Sequence, residues 1–134
     1  MVKITRLTLS SGLADASGNA TNQSIPLRGK VLKISLKYDA GISASTTTAI
    51  YGGSVNTTIA DIEAEGFLVV TGNTDAVYYP ENFLVNNSGV QGSVDYSTGN
   101  DVHDKFTVFD LIHIQIMNAT ANKGVTAEII VEEN

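Results

Sequence analysis

The side chains able to do chemistry lie mostly in the last third of the chain. His103 and Asp104, with Asp101, Asp110 and His113 nearby, offer imidazole and carboxylate ligands of the kind that bind divalent ions. Their spacing matches no established ligand pattern, and His113 lies inside an apolar run, where it reads as a partly buried polar residue rather than a ligand. Asp61, Glu63 and Glu65 share one face if that segment is extended, a placement that permits a cation site or a general acid–base pair but more simply describes a solvated acidic edge. No serine occupies a nucleophile elbow, and no cysteine is present to serve as a nucleophile, a thiolate ligand or a disulfide partner. The residues therefore point away from catalysis, and no cofactor motif or metal site is expected.

Tyr78 and Tyr79, beside Pro80, are candidates of another kind, because tyrosine joins a large rigid contact area to a polar end. Alternation along an extended segment turns one of the pair inward and the other outward, so at most one serves as an interface or ligand anchor. Asn-x-Ser/Thr sequons begin at Asn19, Asn22, Asn56, Asn86 and Asn118, in expected loops or near turns. A chain rich in Asn, Ser and Thr produces such triplets by chance.

The elements that position these groups are strands. In Lys30–Tyr38, Leu32, Ile34, Leu36 and Tyr38 fall on one side at a period of two, with Lys30, Lys33, Ser35 and Lys37 kept mostly to solvent. Residues 2–9, 46–51, 57–62 and 67–71 give further strands, and 76–85 gives an aromatic strand or two short ones around Pro80. Along 105–117, Ile112, Ile114 and Ile116 share a face opposite Leu111, His113, Gln115 and Met117. Val125, Ala127, Ile129 and Val131 then alternate with polar residues in a last strand. Residues 10–28 and 86–101 are rich in small and polar types and read as a long loop or arm and as an exposed loop or small hairpin. The expected fold is a single all-β domain over residues 1–134, an antiparallel, jelly-roll-like β-sandwich of about eight strands.

Composition sets the remaining limits. A chain of 134 residues supports one core. No apolar run approaches the roughly 20 residues of a membrane helix, and the N-terminus lacks an apolar signal core, so a soluble protein made in the cytoplasm is expected. The net charge of −6 is unevenly divided: residues 1–37 carry six basic groups and one acid, and residues 38–134 two basic groups and thirteen acids. That asymmetry favours docking on an acidic partner or head-to-tail contact between copies, while lysines on an exposed strand also discourage edge-to-edge aggregation. Nucleic acid is a poor partner for so acidic a chain.

The runs Gly29–Tyr38 (GKVLKISLKY), Thr46–Tyr51 (TTTAIY) and Thr74–Pro80 (TDAVYYP) resemble small virion proteins of tailed bacteriophages, the head decoration or auxiliary proteins, over about residues 28–85. The resemblance implies a non-enzymatic, capsid-stabilising β-sandwich on the virion surface. Its implied partner is the major capsid protein, often met as a homotrimer at local three-fold positions. On that reading Lys3, Arg6, Arg28 and Lys30, with the 10–28 segment, face the capsid. The competing expectation is a carbohydrate- or receptor-binding sandwich of a spike or fibre using Tyr79 and the 86–101 loop, or a tail or baseplate component.

Overall fold

Short alternating runs separated by Gly, Asn and Ser turns cannot bury a face alone, so they must pair and then stack. The computed structural model describes residues 3–52, 67–83, 93–95, 100–101, 103–105, 107–108 and 111–133. Within them run β1 (Lys3–Ser10), β2 (Ala20–Gln23), β3 (Gly29–Tyr38), β4 (Thr47–Gly52), β5 (Leu68–Thr71), β6 (Ala76–Tyr78), β7 (Glu81–Phe83), β8 (Ser93–Asp95), β9 (Asn100–Asp101), β10 (His103–Lys105), β11 (Thr107–Val108), β12 (Ile112–Met117) and β13 (Val125–Glu133). The expected strand over 57–62 lies outside the described residues.

One sheet runs β1-β13-β3, and β3's far edge is shared by β6, opposite Ile34–Leu36, and β11, opposite Gly29 and Lys30. The other runs β2-β12-β4-β5, and every pairing is antiparallel. The chain changes sheet from β1 to β2, from β2 to β3, from β3 to β4, from β5 to β6, from β11 to β12 and from β12 to β13. First and last strands are neighbours, and β1-β13-β3-β6 faces β2-β12-β4-β5, which is the eight-strand jelly roll. The pairs β7–β10 and β8–β9, with β11, are inserted between β6 and β12. The all-β sandwich expected from the sequence is therefore the observed architecture.

The core lies between the sheets. Ile34, Leu36, Val125, Ala127, Ile129 and Val131 meet Ile50, Ile112, Ile114 and Ile116, all fully buried, with Leu9, Phe67 and Val108 closing the margins. Each such Val, Leu or Ile side chain contributes roughly 1.5–3 kcal/mol on removal from water.

The alternation read for residues 30–38 needs one correction. Val31 is fully buried and Leu32 only partly so, because β3 carries a bulge. Ile130 pairs with Lys33 and Val131 with Val31, leaving Leu32 as the extra residue. The extra residue reverses the phase of the strand, so Val31, Ile34 and Leu36 point inward while Leu32 and Lys33 both turn outward. The core gains Val31 in place of Leu32.

Segment 10–28, read as loop, carries the strand β2 and is bonded to its own domain along its length. The Ser11 N–H donates to the Val125 carbonyl, the Ala14 N–H to the Lys123 carbonyl, and the Ser24 N–H to the Ile112 carbonyl, at 2.9 Å each. The loops 11–19, 39–46, 72–75 and 118–124 meet at one end of the sandwich. The Asn122 N–H reaches the Ala14 carbonyl, the Ala119 N–H the Gly18 carbonyl, the Asp39 N–H the Gly124 carbonyl, and the Asn73 side-chain amide the Ile42 carbonyl. Backbone groups that strands leave unpaired at this end are thus satisfied by one another.

Candidate functional site

The sheet register gathers residues that are distant in the chain. Lys3 pairs with Glu133, which pairs with Gly29, and Ile4 pairs with Glu132, which pairs with Lys30. The starts of β1 and β3 and the end of β13 therefore lie together, at the end of the sandwich opposite the bonded loops. Lys3, Arg28 and Lys30 are collected there, and the next outward row of the sheet is Arg6–Ile130–Lys33. Carboxylates stand among these cations. Arg6 Nε lies 3.5 Å from Glu128 Oε1 and Lys3 Nζ 4.0 Å from Glu133 Oε2, while the Thr5 hydroxyl donates to Glu133. Among the described residues this end and the row beside it gather five cations (Lys3, Arg6, Arg28, Lys30, Lys33) and three carboxylates (Glu128, Glu132, Glu133). The two cations are solvent-exposed and their pairs hold them only weakly, which leaves Lys3 and Arg6 open to exchange with a partner's carboxylates.

The tyrosine pair divides as alternation requires. Tyr78 lies opposite Ile34 and packs against the core, whereas Tyr79 is 70% exposed and Val77, opposite Ser35, is 49% exposed. Tyr79 is thus the member of the pair able to act as an anchor.

His113 faces away from the core on β12, yet it is buried. It pairs across the ladder with Tyr51 and stacks on that ring, with centroids 4.9 Å apart and planes 11° from parallel. Burial pushes the Tyr51 hydroxyl above its usual value of 10.0. His103 and Asp104 pair through the backbone with Phe83 and Asn82, and Asp101 with Ser93. Asp110, Asp61, Glu63 and Glu65 lie outside the described residues. Among the described residues no three metal-ligating side chains come together.

Two carboxylates that the sequence reading passed over hold the loop end in place. Asp39 Oδ2 accepts the Gly124 N–H at 2.8 Å, and Asp75 Oδ1 accepts the Tyr38 N–H at 2.9 Å, ending the β3–β6 ladder. Their signal was available in the turn chemistry: an Asp directly after a strand or before one is placed to bond neighbouring backbone. Of the sequons, Asn22 lies in β2 rather than in a loop, and its side-chain amide donates to the Ser10 carbonyl.

Among the described residues no helix is long and apolar enough to cross a membrane. Comparison of the chain with protein-family models, with curated proteins and with solved structures finds no match.

Proposed function

We propose that this chain is a virion structural protein that binds the outer surface of an assembled bacteriophage capsid and stabilises it as a decoration protein. The observation that carries the reading is the register that brings Lys3, Arg28 and Lys30 to one end of a jelly roll whose other end is a bonded set of loops. A rigid body with one basic end suits attachment to an acidic lattice, because opposite potentials set orientation and speed encounter. A protein that binds only the assembled shell shifts the equilibrium toward that shell by mass action. As a trimer, it would hold each further contact at high effective concentration after the first, so modest contacts would suffice.

The test is co-sedimentation with undecorated expanded capsids and with unexpanded procapsids, repeated over a salt series. Saturable, salt-weakened binding to expanded shells is expected, together with its loss in a Lys3→Glu, Arg6→Glu, Arg28→Glu triple variant whose circular dichroism is unchanged. Equal binding by the triple variant removes the basic end from the contact. Absence of binding to either shell removes the decoration role. A spike or fibre head is the second reading, favoured by the exposed ring of Tyr79, and it predicts that Tyr79→Ala abolishes attachment to host cells while shells play no part.

A further inference from the structure

The outward side of the first sheet also carries a groove of about 430 Å³, removed from the basic end and near the bonded loops. Two adjoining rows of the register build it. One is Thr8–Glu128–Ser35–Val77, contributed by β1, β13, β3 and β6, and the other holds Thr126 opposite Lys37. Asp75 shapes the far wall: its carboxylate takes the Tyr38 N–H, so β6 departs from β3 there and leaves the groove open.

The lining decides what can occupy it. The lining holds one cation, Lys37, and two carboxylates, Glu128 and Asp75, and Arg6, outside the lining, lies 3.5 Å from Glu128. A strongly charged ligand therefore finds repulsion as well as attraction, and a wholly apolar one would cover the apolar part of the lining but leave its hydroxyls and carboxylates without partners. Three hydroxyls, of Thr8, Ser35 and Thr126, both donate and accept, while Lys37 donates only and Glu128 accepts only. Half-exposed Val77 offers an apolar edge. A ring that carries hydroxyls around its rim and C–H bonds on its face matches this set. We infer that the groove binds a neutral saccharide, about one or two sugar rings by its volume. The inference stands apart from capsid decoration, since none of Lys3, Arg6, Arg28 and Lys30 lines the groove.

The experiment is a titration of the ¹⁵N-labelled full chain, without capsids, using D-glucose, D-galactose, D-mannose and N-acetyl-D-glucosamine, with glycerol as the control polyol. Saturable shifts of the Thr8, Ser35, Lys37, Val77 and Thr126 amides by at least one sugar, and not by glycerol, are expected. Replacing Glu128 by Gln removes a charge-assisted acceptor and weakens that binding about tenfold. Thr126→Val, which keeps the shape and removes a hydroxyl, weakens it in the same direction and serves if E128Q does not fold. The inference is overturned if none of the four sugars shifts these amides, if glycerol shifts them equally, or if a folded variant binds as the parent does. Because no shell is present, failure here leaves the decoration reading untouched.

Discussion

Ser11 and Ser24 make the same two bonds at opposite ends of the segment that carries the chain from one sheet to the other. Each backbone N–H donates to a strand carbonyl, Ser11 to Val125 and Ser24 to Ile112, both at 2.9 Å. Each hydroxyl oxygen then accepts that same strand residue's N–H, at 3.0 Å from Val125 and 2.9 Å from Ile112. A serine thus replaces a ladder partner where β1 and β2 stop, and both serines are buried. Were the hydroxyls absent, two buried N–H groups would have no acceptor.

Ser11→Ala and Ser24→Ala should each lower the unfolding free energy by about 1–3 kcal/mol, the cost of a buried donor left unsatisfied. The two share no partner, so the double variant should lose close to the sum. Urea unfolding followed by circular dichroism measures all three, and losses below the error of the fit would show that water replaces the hydroxyls freely.

Glycines in the bonded loop end should not be equivalent. Gly12 has a φ of 78° with nothing within 4 Å of an added Cβ, so Gly12→Ala should cost only the left-handed penalty, about 1–2 kcal/mol. Gly18 has a φ of 83° and an added Cβ would fall 2.5 Å from the Ala119 carbonyl oxygen. Gly18→Ala must push apart the loops that Ala119 and Gly18 bond together, so its thermal midpoint should fall well below that of the Gly12 variant. Equal midpoints would mean that the two loops yield without cost.

The β3 bulge makes a prediction opposite to strict alternation. Val31→Ala should destabilise by about 2–3 kcal/mol through lost burial and a residual cavity, and Leu32→Ala by less than about 1 kcal/mol. The reverse order, measured by denaturant midpoints, would restore Leu32 to the core and remove the bulge.

Alkaline pH should destabilise the fold through Tyr38. Burial raises its hydroxyl above 10.0, opposed by the neighbouring Thr48 hydroxyl and reinforced by Tyr78 and Asp75. Tyr38 OH and Thr48 Oγ1, adjacent and buried, nonetheless lack hydrogen-bond geometry to each other or to another described group. The unfolded chain loses this proton near pH 10 while the folded chain keeps it, so stability is intact below that pH and falls as pH rises through it toward the folded value. Tyr51, raised by burial, acts in the same direction. Tyr38→Phe should be at least as stable at neutral pH and lose less between about pH 9 and about pH 11. An unchanged slope in urea midpoints over that range would assign the alkaline loss to other groups.

What the sequence determined by itself was the class of fold and most of its inward faces. A period of two needs only the local backbone, so Ile112, Ile114 and Ile116, the alternating residues of 125–131, and the division of Tyr78 from Tyr79 were legible before any pairing was known. Tertiary structure alone decided what depends on partners. The bulge at Leu32 appears only when β3 is set against the unbroken phase of β13. Strand β2, Ala-Thr-Asn-Gln, has no apolar pattern to announce it, and it forms because the open edge of β12 supplies its hydrogen bonds. The gathering of Lys3 with Arg28 and Lys30, and the groove walled by Thr8, Ser35 and Glu128, likewise follow from long-range register. Local alternation tells a side chain which way to face, but only the neighbouring strand tells it whom to stand beside.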